Sequence, residues 1–134
     1  MSFFDILNIS ATGMSAQRIR MQILSANLAN ANTTRAYGQM PYRKRDVVFK
    51  QILDGGYKGG VKVDRVALDE KPPKMVYDPG HPDANEEGYV MYPNINPIEE
   101  LVNMLEASRS YEANMTVLDT AKQLALRAIE IGRS

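Results

Sequence analysis

Apolar positions recur at helical spacing at both ends of the chain and lose that spacing in the middle. From Met14 a stripe of Met14, Gln17, Met21, Leu24, Leu28 and Ala31 advances in steps of three and four, the period of one helix face. A second set, Ile9, Ala16, Ile19, Ile23 and Ala26, lies on roughly the opposite side at about 100° per residue. One core needs one stripe. Two stripes predict a helix from about Phe4 to Ala31 wedged between packed neighbours, with Arg18, Arg20 and Gln22 in the gaps. An ordinary helix of an ordinary bundle accounts for the periodicity equally well. Gly13 inside the pattern costs about 1 kcal/mol relative to alanine, so either the backbone is closely approached there or the helix is interrupted. Asn30 to Thr34 should end it, because these side chains compete for backbone hydrogen bonds.

A second helix begins at Pro97. Asn96 suits the N-cap, Pro97 the first helical position, and Glu99 and Glu100 the positive end. No proline or glycine follows until Gly132, which predicts one helix of about 50 Å at ~1.5 Å per residue. Its main stripe is Met104, Tyr111, Met115, Leu118, Ala125 and Ile129, interrupted by Lys122. A second line, Val117, Ala121, Leu124, Ala128 and Ile131, joins over the last turns and widens the apolar face beyond the ~100° that one partner covers. Each Leu or Ile buried contributes roughly 1.5–3 kcal/mol. The excess surface therefore predicts either burial against neighbouring chains or a middle segment folded back over the helix end.

Between the helices the period becomes short and irregular. Val47 to Phe49 flanked by Arg43, Lys44, Arg45 and Lys50 reads as a solvated strand edge or as a basic patch for an acidic partner. Val61 to Val66, Lys74 to Tyr77 and Gly88 to Tyr92 read as further strands, separated by turn formers such as Asp78-Pro79-Gly80. Gly55 to Gly60 lacks the Gly-Lys-Ser/Thr ending and the following helix of a phosphate loop. His81-Pro82-Asp83 matches the tripeptide of J-domain co-chaperones, but it lies in a turn between strands where theirs joins two helices.

Charge and composition narrow the function. Lys plus Arg equals Asp plus Glu at 16 each in 134 residues, so the electrostatic footprint of a nucleic-acid binder is missing. There is no cysteine and one histidine, too few parts for a thiolate or histidine metal site or a histidine-based triad. Asp69, Glu70, Asp78, Asp83, Glu86 and Glu87 read as solvated loop charges rather than an acid-base pair. No cofactor is called for, no run approaches a membrane span, and the N-terminus lacks the basic and apolar regions of a secretory signal.

Three separated motifs then give a resemblance. Ala11-Thr12-Gly13-Met14-Ser15-Ala16-Gln17 with Asn27-Leu28-Ala29-Asn30-Ala31-Asn32-Thr33 resembles the N-terminal signature of bacterial flagellar rod and hook proteins. Glu106 to Asn114, containing Arg109, Tyr111 and Asn114, is similar to their C-terminal signature. Val76 to Ala84 with Gly88 to Asn96 is similar to the proximal-rod members of that family. Thr34 to Gly38 departs from the pattern as a compact form of a variable turn.

The resemblance implies a non-enzymatic structural protein of mainly α, α+β fold. Residues 1–32 and 97–134 would form one discontinuous helical domain, an antiparallel coiled coil lining the rod, and 33–96 a β-hairpin-rich insert. It also implies a place in the basal body, on the periplasmic side of the inner membrane, reached through the flagellar type III export apparatus without a cleaved signal. Copies of itself and other rod proteins of the FlgB, FlgF, FliE and FlgG types would be its partners. The residues expected to pack are Met14, Ile19, Ile23, Leu28, Met104, Tyr111, Met115, Leu118, Leu124 and Ile129, with Gly13, Gln17, Asn27, Asn30, Arg109, Tyr111 and Asn114 carrying the signature. A soluble helical adaptor or chaperone that clasps a partner helix is the other reading of the same amphipathic ends.

Overall fold

A computed structural model describes residues 2–133 of the chain. The first helix, α1, spans Phe3–Ala29 and starts from a reciprocal cap. Asp5 N–H donates to Ser2 Oγ at 3.2 Å, and Ser2 N–H donates back to the Asp5 carboxylate at 2.8 Å. Donation from Ser2 N–H foremost, with the Ser2 hydroxyl, holds the Asp5 carboxyl below its ordinary value. The helix stops two residues short of the predicted Ala31, because the Asn30 amide turns back and donates to Ala26 O at 2.8 Å. The last helix, α2, spans Pro97–Arg133 without a break. Asn96 caps it as predicted, its Oδ1 accepting from Ile98 N–H at 3.1 Å.

Four strands lie between the helices. β1 (Arg45–Gln51) pairs antiparallel with β2 (Val61–Leu68), with a bulge between Val48 and Phe49. β3 (Lys74–Tyr77) pairs antiparallel with β4 (Tyr89–Tyr92). The loop of this second hairpin accounts for the His81-Pro82-Asp83 tripeptide: Asp83 N–H donates to His81 Nδ1 at 3.0 Å, and Thr34 donates to the Asp83 carboxylate. The tripeptide builds a turn and ties it to the segment after α1.

The helices run antiparallel. As the α1 residue rises from Gly13 through Arg20 to Asn27, the α2 residue beside it falls from Asn114 through Glu106 to Glu100. The seam they share does not follow the predicted stripes. On α1 the buried residues are Ser10, Gly13, Ala16, Leu24 and Asn27, and on α2 they are Glu100, Ala107 and Ala121. Of the stripe Met14, Gln17, Met21, Leu24, Leu28 and Ala31, only Leu24 and Ala31 are buried. The seam runs between the two predicted stripes, along small and polar residues that let the backbones come close. Gly13 therefore marks close approach and not a break: a Cβ there would lie 2.7 Å from Asn114 Nδ2.

The first hairpin supplies the other neighbour of α1. Val61 N–H donates to Thr12 Oγ1 at 3.1 Å, and Asn8 Nδ2 donates to Gly56 O at 3.2 Å. Gly60 permits this docking, since a Cβ would meet Thr12 Oγ1 at 2.5 Å. Both β1 and β2 pack on α1, and the strands of neither hairpin lie against the backbone of α2, which the Lys44 side chain at the foot of β1 reaches through Glu100. The middle segment thus folds back over α1 and leaves the far end of α2 uncovered. A second small core of Ala31, Pro41, Val90, Pro93 and Ile95 closes the molecule where α1 ends and α2 begins.

The Gly13 contact can be tested by thermal unfolding. Gly13→Ala gains up to about 1 kcal/mol of helix propensity, but overpacking costs about 1–3 kcal/mol because Asn114 is held by its bond to Ser110 O. The midpoint should fall, and adding Asn114→Ala should raise it above that of the single variant.

Candidate assembly surface

The most constrained side chain is that of Asn27, which is fully buried. Its Nδ2 donates to Arg45 O at 2.7 Å and to Glu100 Oε2 at 3.1 Å. Its Oδ1 accepts from Tyr42 O–H at 2.9 Å and from Arg45 N–H at 3.0 Å. An asparagine amide offers two donors and two acceptor sites, and all four are used. Glu100 is equally buried, and its Oε1 lies 3.1 Å from Lys44 Nζ. The knot joins α1, the start of β1 and the first turn of α2.

Glu100 stands in the first turn of α2 as expected and is in addition a buried partner of Asn27 and Lys44. One expectation is corrected here. Lys44 is not part of a solvated strand edge, since its side chain is only 17% exposed. Burial works against the Lys44 charge, but the hydrogen bond and charge of Glu100 outweigh it and hold the ammonium above its ordinary range. Burial pushes the Tyr42 phenol up as well, opposed by Arg45 and assisted by the charge of Glu100.

Beyond the seam, the large apolar side chains point outward. Counting from the Gly13–Asn114 approach, Phe3 stands roughly level with Leu124. About 9 residues of α2, or ~14 Å at ~1.5 Å per residue, therefore run past the start of α1. This end carries Leu124 at 59%, Leu126 at 55% and Ile129 at 57% exposure, with Phe4 beside it at 71%. At the other end of α2, Ile98, Leu101, Val102 and Leu105 are also exposed.

Of the residues expected to pack, Met14, Ile19, Ile23, Leu28, Met104, Tyr111 and Leu118 are half-buried, and Met115, Leu124 and Ile129 are exposed. Met14, Tyr111 and Leu118 line one shallow groove between the helices. Among the signature residues Gly13 and Asn27 are buried, Gln17, Asn30, Tyr111 and Asn114 half-buried, and Arg109 exposed. Gly13 meets Asn114 across the seam, and Asn27 is the hub of the knot; Asn30 caps α1. Among the described residues no three His, Cys, Asp or Glu side chains gather as metal ligands, and no helix is long and apolar enough to cross a membrane.

Two family descriptions match the chain: the flagella basal body rod protein over residues 7–36, and the C-terminal region of the flagellar basal body rod FlgEFG proteins over residues 86–131. Along its whole length the chain is similar to the flagellar basal-body rod protein FlgC of Bacillus subtilis, 42% identical with 99% of this chain and 100% of that one covered. It is 40% identical to FlgC of Escherichia coli, over 99% of this chain and 100% of the relative. The chain belongs to the FlgC family of flagellar basal-body rod proteins.

The FlgC relatives match along the whole chain, whereas the two family descriptions centre on the helices, covering α1 from residue 7 and α2 as far as residue 131. Tyr42 and Lys44 fall between them, and the sequence reading missed both, as it missed the burial of Glu100. A signal was present for Glu100 alone, a carboxylate at heptad spacing from Ala107 on an otherwise apolar face.

The knot sets a pH dependence. Lys44 and Tyr42 hold their protons more firmly in the folded chain than at their ordinary values of 10.5 and 10.0. Their contribution to stability is complete below those ordinary values and is lost as pH rises through the raised ones. The urea midpoint should therefore fall above about pH 10, and Lys44→Met with Tyr42→Phe should fall less over the same range.

Proposed function

We infer that this FlgC-family chain is a structural subunit of the flagellar basal-body rod, with no catalysis of its own. It assembles with other rod proteins through its terminal helices. What carries the reading is the inverted distribution of side-chain size: small and polar residues fill the intrachain seam while Leu124, Leu126 and Ile129 stand exposed on a helix that outruns its partner. Burying each Leu or Ile would contribute roughly 1.5–3 kcal/mol. A shaft under torque needs many such contacts per subunit, and a surface spread along ~14 Å of projecting helix provides several at once.

The finer reading places the subunit in the proximal rod on the periplasmic side of the inner membrane, delivered unfolded through the flagellar type III export apparatus. Its neighbours there are further copies of the chain and the FlgB-, FlgF-, FliE- and FlgG-type rod proteins. Residues 1–32 and 97–134 act as one helical body of the rod wall, and residues 33–96 are an insert carried on α1. The packing residues proposed are Met14, Ile19, Ile23, Leu28, Met104, Tyr111, Met115, Leu118, Leu124 and Ile129.

Leu124→Asp tests this, because the side chain is already in water in the isolated chain. The variant should keep the thermal midpoint of the parent within about 0.5 kcal/mol, as surface changes do, while complementation of motility and recovery of intact basal bodies are lost. Normal swimming with normal rods would exclude the face of α2 around Leu124 from assembly. A monomer that stays monomeric at every concentration while binding a partner helix would favour the adaptor.

A further inference from the structure

We propose that Asn27, with Glu100 as its partner, is the positioning residue that sets the sliding register of α1 against α2. The seam poses the problem. Gly13, Ala16, Ala107 and Ala121 are small and alike, so one arrangement of them differs little from another displaced by one heptad. A slide of about 10 Å, seven residues at ~1.5 Å each, would bring Gly13 opposite Ala107 and Arg20 opposite Glu100. That rival keeps a close helix approach and gives Glu100 a cation, so packing and charge alone do not reject it.

Asn27 does reject it. In the rival register its amide loses Glu100 while Arg45 and Tyr42 stay with α1 and the first hairpin, and a buried N–H without an acceptor costs about 1–3 kcal/mol. Glu100 also loses Lys44, which lies 3.1 Å away in the observed register. A single buried polar pair in a helix seam that accepts one alignment and penalises the others is the best-attested use of such groups. The remaining long-range contacts do not substitute for it. The first hairpin is bonded to α1 through Thr12 and Asn8, and its ion pair to α2, Lys44 with Glu100, belongs to the knot itself. The Arg20–Glu106 pair, at 3.7 Å with Glu106 62% exposed, is worth little. With α2 helical from Pro97, so that Glu100 can meet Arg20, the slide is taken up by residues 93–96, which must extend and draw Pro93 and Ile95 out of the small core beside Ala31. That core adds to the cost of the slide, and Asn27 supplies its directional part. If the projecting end of α2 is the rod contact proposed above, this register also fixes how far it projects.

The absence of cysteine makes the register directly readable. Gln17→Cys with Ser110→Cys marks the observed alignment. Gln17→Cys with Asn103→Cys marks the displaced one and lies about 10 Å out of register as observed, too far for a disulfide. Each pair is oxidised in the purified full-length chain at low concentration, with and without Asn27→Leu, and the intramolecular disulfide is scored. With Asn27 present only the Ser110 pair should close. With Asn27→Leu the Asn103 pair should rise at least tenfold, and Arg20→Ala, which removes the rival cation, should reduce it again.

Closure of the Ser110 pair alone in the Asn27→Leu variant overturns the proposal, as does closure of both pairs, or of neither, with Asn27 present. Should Asn27→Leu lose its helical signal, Asn27→Ala removes the same bonds without adding bulk, keeps Glu100 for Arg20, and is read in the same way. Because the disulfides are scored on the isolated chain, a failure here is separate from any failure to build rods.

Discussion

With both N–H groups and both acceptor sites of its amide engaged, Asn27 holds three parts of the chain that are distant in sequence: α1, the backbone of Arg45 at the start of β1, and Glu100 in the first turn of α2. The Coulombic gain of a buried carboxylate and ammonium is offset by the cost of taking them out of water. The value of the knot therefore lies in its demand for completeness. Remove one member and the others are left unpaired in a place water reaches poorly, at about 1–3 kcal/mol for each group. The rest of the fold is arranged so that this arrangement of groups can close.

Around that point the usual relation of size to burial is reversed. A globular core of this length would place its large aliphatic and aromatic side chains inside. Here alanine, glycine and serine line the seam, while leucine, isoleucine and phenylalanine occupy the outer faces. Small residues bring two backbones together without adding much buried area, so the intrachain core is thin for 134 residues. In the assembly proposed above, what is deficient within one subunit would be supplied between subunits. Membership of a family of rod proteins gives that distribution its purpose, since a shaft is held by what its components share.

The sequence revealed the frame more readily than the seam. Asn96 and Pro97 announced the start of α2, and short apolar runs bounded by turn formers marked the strands, because these signals are local. The two stripes on α1 suggested two neighbours, and α1 meets both α2 and the chain's own first hairpin, although its buried residues lie between the stripes. The seam was missed because hydrophobic periodicity does not score serine, glycine and asparagine, which here matter for their size and bonding. Lys44 and Tyr42 were illegible for a different reason: their role exists only once β1 is folded against α1. The motifs that carried the family resemblance were nearer the mark, for they contain Gly13, Asn27 and Asn114.

The docking of the first hairpin on α1 alone has a mechanical corollary. α2 is joined to the rest of the subunit along a line of antiparallel contacts from Asn114 to Glu100 and by the short segment before Pro97. A load applied to its projecting tip along the helix axis is resisted in shear by the entire line at once. The same load applied sideways would peel the helix away one turn at a time. An isolated subunit is therefore stiffer along its axis than across it, and neighbours packed against the outer face of α2 would supply the lateral support it lacks.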